Sequence, residues 1–263
     1  MSRLERVKRD HPFCCFCGGV VPTETVEHAP PRAFFQDKYR LRGLEFPACK
    51  RCNEGSGKLD QVAAWFALTM SGIFSDLEDD EYWRKLSKGV ANNSPDALSY
   101  LGVENAKAAY WSVEGSLTEK YYRAKIDCRL FTEFLNPWAA KQGFALWYHH
   151  SSRPLSCDAK VWTRWQTNEQ LLKGGLPQEV IDLCPELNFL RQGVLESSDQ
   201  FMYRYATNLE EGLALFVLAG HLSSSIIIAI SESGQAAQSL FSTKGEVFST
   251  SPDTGIFSVS DFI

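Results

Sequence analysis

The sequence predicts an α+β chain in three parts: a cysteine-clipped N-terminal module, a helical region and a C-terminal antiparallel β-sheet. Three observations predict it. Two Cys-x-x-Cys pairs, Cys14/Cys17 and Cys49/Cys52, bracket the first segment. After Asn53, residues Leu59, Val62, Ala63, Phe66 and Met70 recur at the three-and-four spacing of a helix. From Phe189 onward, short apolar runs alternate with turn residues at close intervals, the pattern of an antiparallel sheet. The change of pattern divides the chain into a module at 1–75 and an α+β accessory region at 76–263.

Residues 2–10 place Leu4 and Val7 among charges, which predicts a short amphipathic helix. The first knuckle, C-C-F-C-G-G, carries glycines suited to a tight turn, and V-V-P after it reads as a short strand. The segment T-V-E-H-A-P-P-R follows; its Pro-Pro pair forbids helix just before it, so His28 is expected at a strand end or in a loop. Leu44 to Ala48 predicts a second strand leading to the second knuckle, and the helix begins at Asn53. Residues 76–137 read as mainly helical, with N-N-S-P as a break, and Trp138 to His150 as a further helix. The strands of the tail are expected near 189–196, 201–207, 212–220 and 223–230, with an edge strand at 245–250.

At 263 residues, with 44% hydrophobic and 13% aromatic residues, the chain can bury a substantial core. No apolar run reaches the length of a membrane span, and the charged N-terminus lacks the apolar segment of a signal peptide. The expectation is a cytoplasmic protein with no membrane partner. Net charge is −5, unevenly spread. Residues 1–60 hold eleven Lys and Arg against eight Asp and Glu; the remainder hold sixteen against twenty-four. Any surface for a polyanion therefore belongs with the cysteine module.

Four thiolates in two knuckles are enough to close a tetrahedral structural zinc site on Cys14, Cys17, Cys49 and Cys52. Cys15, Cys128, Cys157 and Cys184 have no paired spacing and read as small buried side chains. Glu27 and His28 are neighbours, so an extended backbone turns their side chains to opposite faces.

Together, C-x-x-C, E-H-A-P-P-R and C-K-R-C-N resemble the zinc-clipped form of the HNH (ββα-metal) endonuclease family, over about a fifth of the chain. The resemblance implies an N-terminal ββα-metal fold and hydrolysis of DNA phosphodiester bonds, in a bacterial defence or mobile-element setting. It implies His28 as general base, with Glu27 and Asn53 holding a catalytic Mg²⁺ or Mn²⁺. Asp60 is the nearest candidate for a further ligand, and Arg32 for holding a phosphate. Lys50, Arg51 and Lys58 ring the helix start. The competing structural roles are a salt bridge from Glu27 to Arg32, helix capping by Asn53 and a solvated helix face for Asp60. The sequence departs from the family pattern in two places: the usual second His or Asn on the helix is missing, and so is the Asn that orients the base, expected around Leu44. A weaker similarity covers A-K-Q-G-F-A-L-W-Y-H-H-S-S-R-P-L, from Ala140 onward. The alternative reading is a non-catalytic zinc module that binds nucleic acid or protein. In the nuclease reading the accessory region would choose the substrate, a partner or an activating signal, with a protein partner or a second copy of the chain binding through it.

Overall fold

The computed structural model describes residues 2–71, 80–112, 118–167, 171, 175–233 and 245–258. Helix α1 (Arg3–Asp10) begins at a capping box: Ser2 Oγ accepts the Glu5 N–H, and the Glu5 carboxylate accepts the Ser2 N–H. Strands β1 (Thr25–His28) and β2 (Glu45–Ala48) pair antiparallel, with Glu27 opposite Phe46 and His28 opposite Glu45. His28 closes β1, as the Pro-Pro pair after it predicts. The V-V-P strand shrinks to a single bridge between Phe13 and Pro22.

The helix after the second knuckle starts earlier than its apolar period suggests and is broken once. Helix α2 (Lys50–Gly55) begins directly after Cys49, where the Glu24 carboxylate accepts the Lys50 N–H at 2.9 Å. Helix α3 (Gly57–Ser71) then runs through the core, with Val62 to Leu68 buried on every side. Helices α4 (Glu81–Asn93) and α5 (Pro95–Tyr100) follow, the first capped by Asp80 and the second entered through Pro95.

The mainly helical expectation for 76–137 fails between Leu101 and Ile126, while residues 76–79 and 113–117 lie outside the described ones. Strands β3 (Leu101–Ser112) and β4 (Thr118–Ile126) form an antiparallel two-stranded ribbon instead. Tyr110-Trp111 and Tyr121-Tyr122 prefer a pleated backbone, and the interspersed charges had imitated a helix surface. A short turn, α6 (Cys128–Leu130), continues through a π-helical segment at Phe131–Leu135 into α7 (Asn136–Ser151). Twelve of the sixteen residues of α7 are buried, which makes it the second central helix.

The tail is an antiparallel sheet of seven strands, joined by β5 (Lys160–Gln166) from before the predicted runs. After α8 (Gln178–Leu183) come β6 (Leu187–Phe189), the small hairpin β7 (Arg191–Gln192) and β8 (Leu195–Glu196), β9 (Phe201–Asn208), β10 (Leu213–Gly220) and β11 (Ser224–Ser231). β12 (Glu246–Ser251) and β13 (Gly255–Ser258) complete it. The order is β13-β12-β5-β11-β10-β9-β6, so the predicted edge strand β12 is not at the edge. β11 is apolar throughout because both its faces are covered. Ile226, Ile228 and Ile230 join the main core, while Ile227 and Ala229 join a smaller cluster with Trp162 and Val247. Helix α7 lies so close to the sheet that a Cβ on Gly143 would meet Ile228 Cγ2 at 2.7 Å.

Buried side chains from both parts of the chain belong to one cluster, from Cys14 and Phe34 through Trp65 and Trp138 to Phe248. Phe34 stacks on Trp138 with ring centroids 5.4 Å apart. Tyr148 OH lies 2.7 Å from His11 Nδ1, and Thr250 donates to the Phe16 carbonyl at 2.6 Å. No described helix is long and apolar enough to cross a membrane.

Candidate functional site: a cysteine clip beside a buried lysine

The sulfurs of Cys14, Cys17, Cys49 and Cys52 all lie within 4.8 Å of one another. A tetrahedral zinc with bonds of about 2.3 Å separates its sulfurs by about 3.8 Å, so small adjustments suffice to bind the ion. Backbone geometry brings the four together. Gly18 and Gly19 take left-handed conformations (φ 73° and 70°) that turn the first knuckle back on itself. The Phe16 N–H points at Cys14 Sγ at 3.4 Å, a contact that favours a thiolate. Crowding splits the thiols: Cys14 falls to about 3 through its hydrogen bonds with Cys17 and Cys52, while Cys17 is pushed up to about 12. A dication relieves that frustration by taking all four as thiolates. Cys15 lies outside the cluster, fully buried, its thiol raised by that burial.

Next to the clip, β1 sends Glu27 inward and His28 outward. Asn53, within α2, donates from Nδ2 to Thr25 Oγ1 at 2.8 Å and is further from the Val26 carbonyl, at 3.4 Å. The residue thus ties α2 to β1; the cap of that helix is Cys49. Asp60 is buried, not on a solvated face. It meets a group that sequence reasoning missed, the ammonium of Lys141 from the middle of α7. Lys141 Nζ lies 2.9 and 3.0 Å from the two Asp60 oxygens, 2.7 Å from Ser56 Oγ and 3.3 Å from Glu27 Oε1. Its side chain is 4% exposed. Burial raises Glu27 to about 7, against the pull of Lys141, and burial likewise raises Asp60. One signal in the sequence could have found Lys141. It is a lone charge inside the apolar stretch P-W-A-A-K-Q-G-F-A-L-W, and such a lysine is almost never fully buried without partners.

These residues do not fit a divalent cation as they stand. Both Asp60 oxygens and Glu27 Oε1 already face an ammonium, and the other Glu27 oxygen is sealed from solvent. A catalytic ion must keep open positions for substrate and water, and that sealed oxygen offers none.

His28 has different surroundings. Its side chain is 22% exposed, and Nε2 lies 3.7 Å from Glu45 Oε1, while Glu45 Oε2 pairs with Arg3. Burial, then the nearby Arg40, Arg32 and Arg3, lowers the imidazole to about 4, so it is neutral near pH 7. Glu45 directly follows the position where the orienting Asn was expected. Arg40 was also missed. Its guanidinium donates to the carbonyls of Pro30, Leu41, Gly43 and Leu44 at 2.7–3.0 Å and so fixes the loop between β1 and β2. Arg32 is exposed beside this loop. Arg51 is engaged with the carbonyls of Pro252 and Asp253, whereas Lys50 and Lys58 are exposed at the helix starts. A cleft of about 170 Å³ opens on the other side of α2, lined by Cys52, Ser56, Lys141 and Gly255 among others.

No protein-family model matches the chain, and no curated protein or solved structure compared with it does so either.

Proposed function

We propose that the chain is an HNH-type endonuclease acting on DNA, with its N-terminal module in the zinc-clipped ββα form and His28 as the general base. The observation that carries this reading is the state of His28. It is a neutral, partly exposed imidazole at a strand end, in the positive field of Arg3, Arg32 and Arg40. A neutral imidazole can take a proton from water, and an exposed guanidinium such as that of Arg32 can receive a phosphodiester. A proton on Nε2, facing Glu45, would leave Nδ1 as the basic atom. Glu45 would thereby take the orienting part that an Asn plays in the family this module resembles. Arg32, exposed beside the loop, is the residue proposed to contact the phosphate. A Mg²⁺ or Mn²⁺ ion would supply Lewis acidity in that family, but no step is assigned to one here, because Glu27 and Asp60 hold Lys141.

That same pairing favours a second reading, a zinc module that binds nucleic acid or a protein partner without cutting it. Cleavage of supercoiled plasmid and of single-stranded DNA separates the two. Purified protein, its zinc content measured, is assayed with Mg²⁺, with Mn²⁺ and with EDTA, beside His28→Ala. The nuclease reading expects strand scission by the wild type and its loss in the variant at unchanged zinc content. DNA binding by both proteins with no scission by either would establish the second reading.

A further inference from the structure

We infer that Lys141 is a resident cation: its ammonium occupies the position between Glu27 and Asp60 that a divalent ion would otherwise take. The inference goes beyond the proposed activity and holds whether or not the chain cuts DNA.

The geometry is that of a filled site. An ammonium has three N–H donors, and three residues receive them: Ser56 at 2.7 Å, Asp60 at 2.9 Å and Glu27 at 3.3 Å. Its carrier is rigidly placed, since Trp138 to Tyr148 of α7 are all buried and Gly143 lets the helix press against Ile228. The stem cannot simply swing away into solvent. Ser56 is fixed in turn, because its hydroxyl lies 2.9 Å from the Asn53 carbonyl at the break between α2 and α3.

Removing the ammonium would leave two buried carboxylates facing a gap. Two clefts give a small ion access: the one lined by Lys141, Ser56 and Cys52, and a second of about 360 Å³ lined by Lys38, Asp60 and Tyr82. A Mn²⁺ or Mg²⁺ at the Nζ position would draw the oxygens in by roughly 1 Å to reach bonds of about 2.1 Å. The cluster is therefore one substitution away from a divalent-ion site, and the side chain that closes it comes from a helix eighty-one residues beyond Asp60.

The test reads binding of Mn²⁺ alone, by electron paramagnetic resonance and calorimetry on zinc-loaded protein, without DNA. Wild type and Asp60→Asn are expected to show the same weak, unsaturated Mn²⁺ uptake. Lys141→Met is expected to take up one Mn²⁺ per chain with an affinity higher by about tenfold or more. Lys141→Met/Asp60→Asn should lose that gain. Saturable Mn²⁺ binding by the wild type that Asp60→Asn abolishes would overturn the inference, and that arm stands even if Lys141→Met fails to fold. A folded Lys141→Met protein that takes up no Mn²⁺ would also overturn it, by showing that the carboxylates never formed a cation site. Neither result depends on strand scission, so failure here and failure of the nuclease reading are separately visible.

Discussion

The cysteine clip and the Glu27–Lys141–Asp60 cluster border one cleft, lined by Cys52 from the clip and Lys141 from the cluster, yet they are built on opposite plans. The clip gathers four like groups from two short loops within thirty-nine residues, Cys14 to Cys52, and its sulfurs converge with no cation of the chain's own among them. The cluster gathers unlike groups from β1, α3 and α7, and it carries its own counter-charge. Soft thiolates that crowd one another suit a metal ion. Buried carboxylates already neutralised by an ammonium do not, and the chain supplies that ammonium from its accessory region.

The comparison breaks most visibly if the metal is withdrawn. Zinc chelation, or Cys49→Ser, should unfold the first sixty residues, since structural zinc binding is worth roughly 10 kcal/mol or more in small zinc domains. The check is the circular dichroism melting curve with and without a zinc chelator. EDTA-resistant zinc content below one per two chains in the wild type would contradict it. Lys141→Ala comes next. It leaves two carboxylates buried without a counter-charge, with the Ser56 hydroxyl still on Asp60 and the His28 N–H still on Glu27. The loss is about 3–5 kcal/mol. The triple variant Lys141→Met/Glu27→Gln/Asp60→Asn should recover most of that in urea denaturation, because no unpaired charge then remains. A triple variant no more stable than Lys141→Ala would show that packing, not charge, sets the cost. Gly143→Ala tests the placement of α7 itself. The added methyl meets Ile228 Cγ2 at 2.7 Å and Val161 Cγ1 at 3.1 Å, and overpacking of this kind costs about 1–3 kcal/mol.

The contrast also explains what could be read from the sequence. The clip was legible because its chemistry is local, with both knuckles declared by their spacing and β2 by Leu44 to Ala48. The first strand was not, since β1 lies at Thr25–His28 and not at the V-V-P run. His28 at its strand end followed from the same short stretch. The sheet was legible from β9 to β11, where the apolar and aromatic runs are long and separated by turn residues. β5 was not, because its K-V-W-T-R-W-Q does not alternate polar and apolar residues and no hairpin turn beside it gives a pairing signal. The β3–β4 ribbon was hidden by charges that suit a helix surface equally well. Lys141 could not be assigned at all from its neighbours in the chain. What pairs it is the arrival of Glu27 from β1 and Asp60 from α3, and a one-dimensional pattern does not contain that meeting.

The smallest expected effect is the one that sharpens the contrast between the two faces of β1. Glu27, turned inward, is raised from the ordinary carboxylate range to about 7, while His28, turned outward, is lowered to about 4. A raised carboxylate binds a proton in the folded chain that the unfolded chain has lost. Its stabilisation is present below about pH 4.5 and disappears as pH rises through 7. A lowered histidine does the reverse, since the unfolded chain holds the proton. Its stabilisation is present above about pH 6.5 and disappears as pH falls through 4. Between about pH 4.5 and 6.5 the two slopes oppose each other, each at most about 1.4 kcal/mol per pH unit. Measured as differences from the wild type by urea denaturation, Glu27→Gln should make stability rise more steeply with pH across this window. His28→Gln should make it rise less steeply or fall. Parallel shifts of the same sign in both variants would mean that the two neighbours do not occupy the separate environments that β1 assigns them.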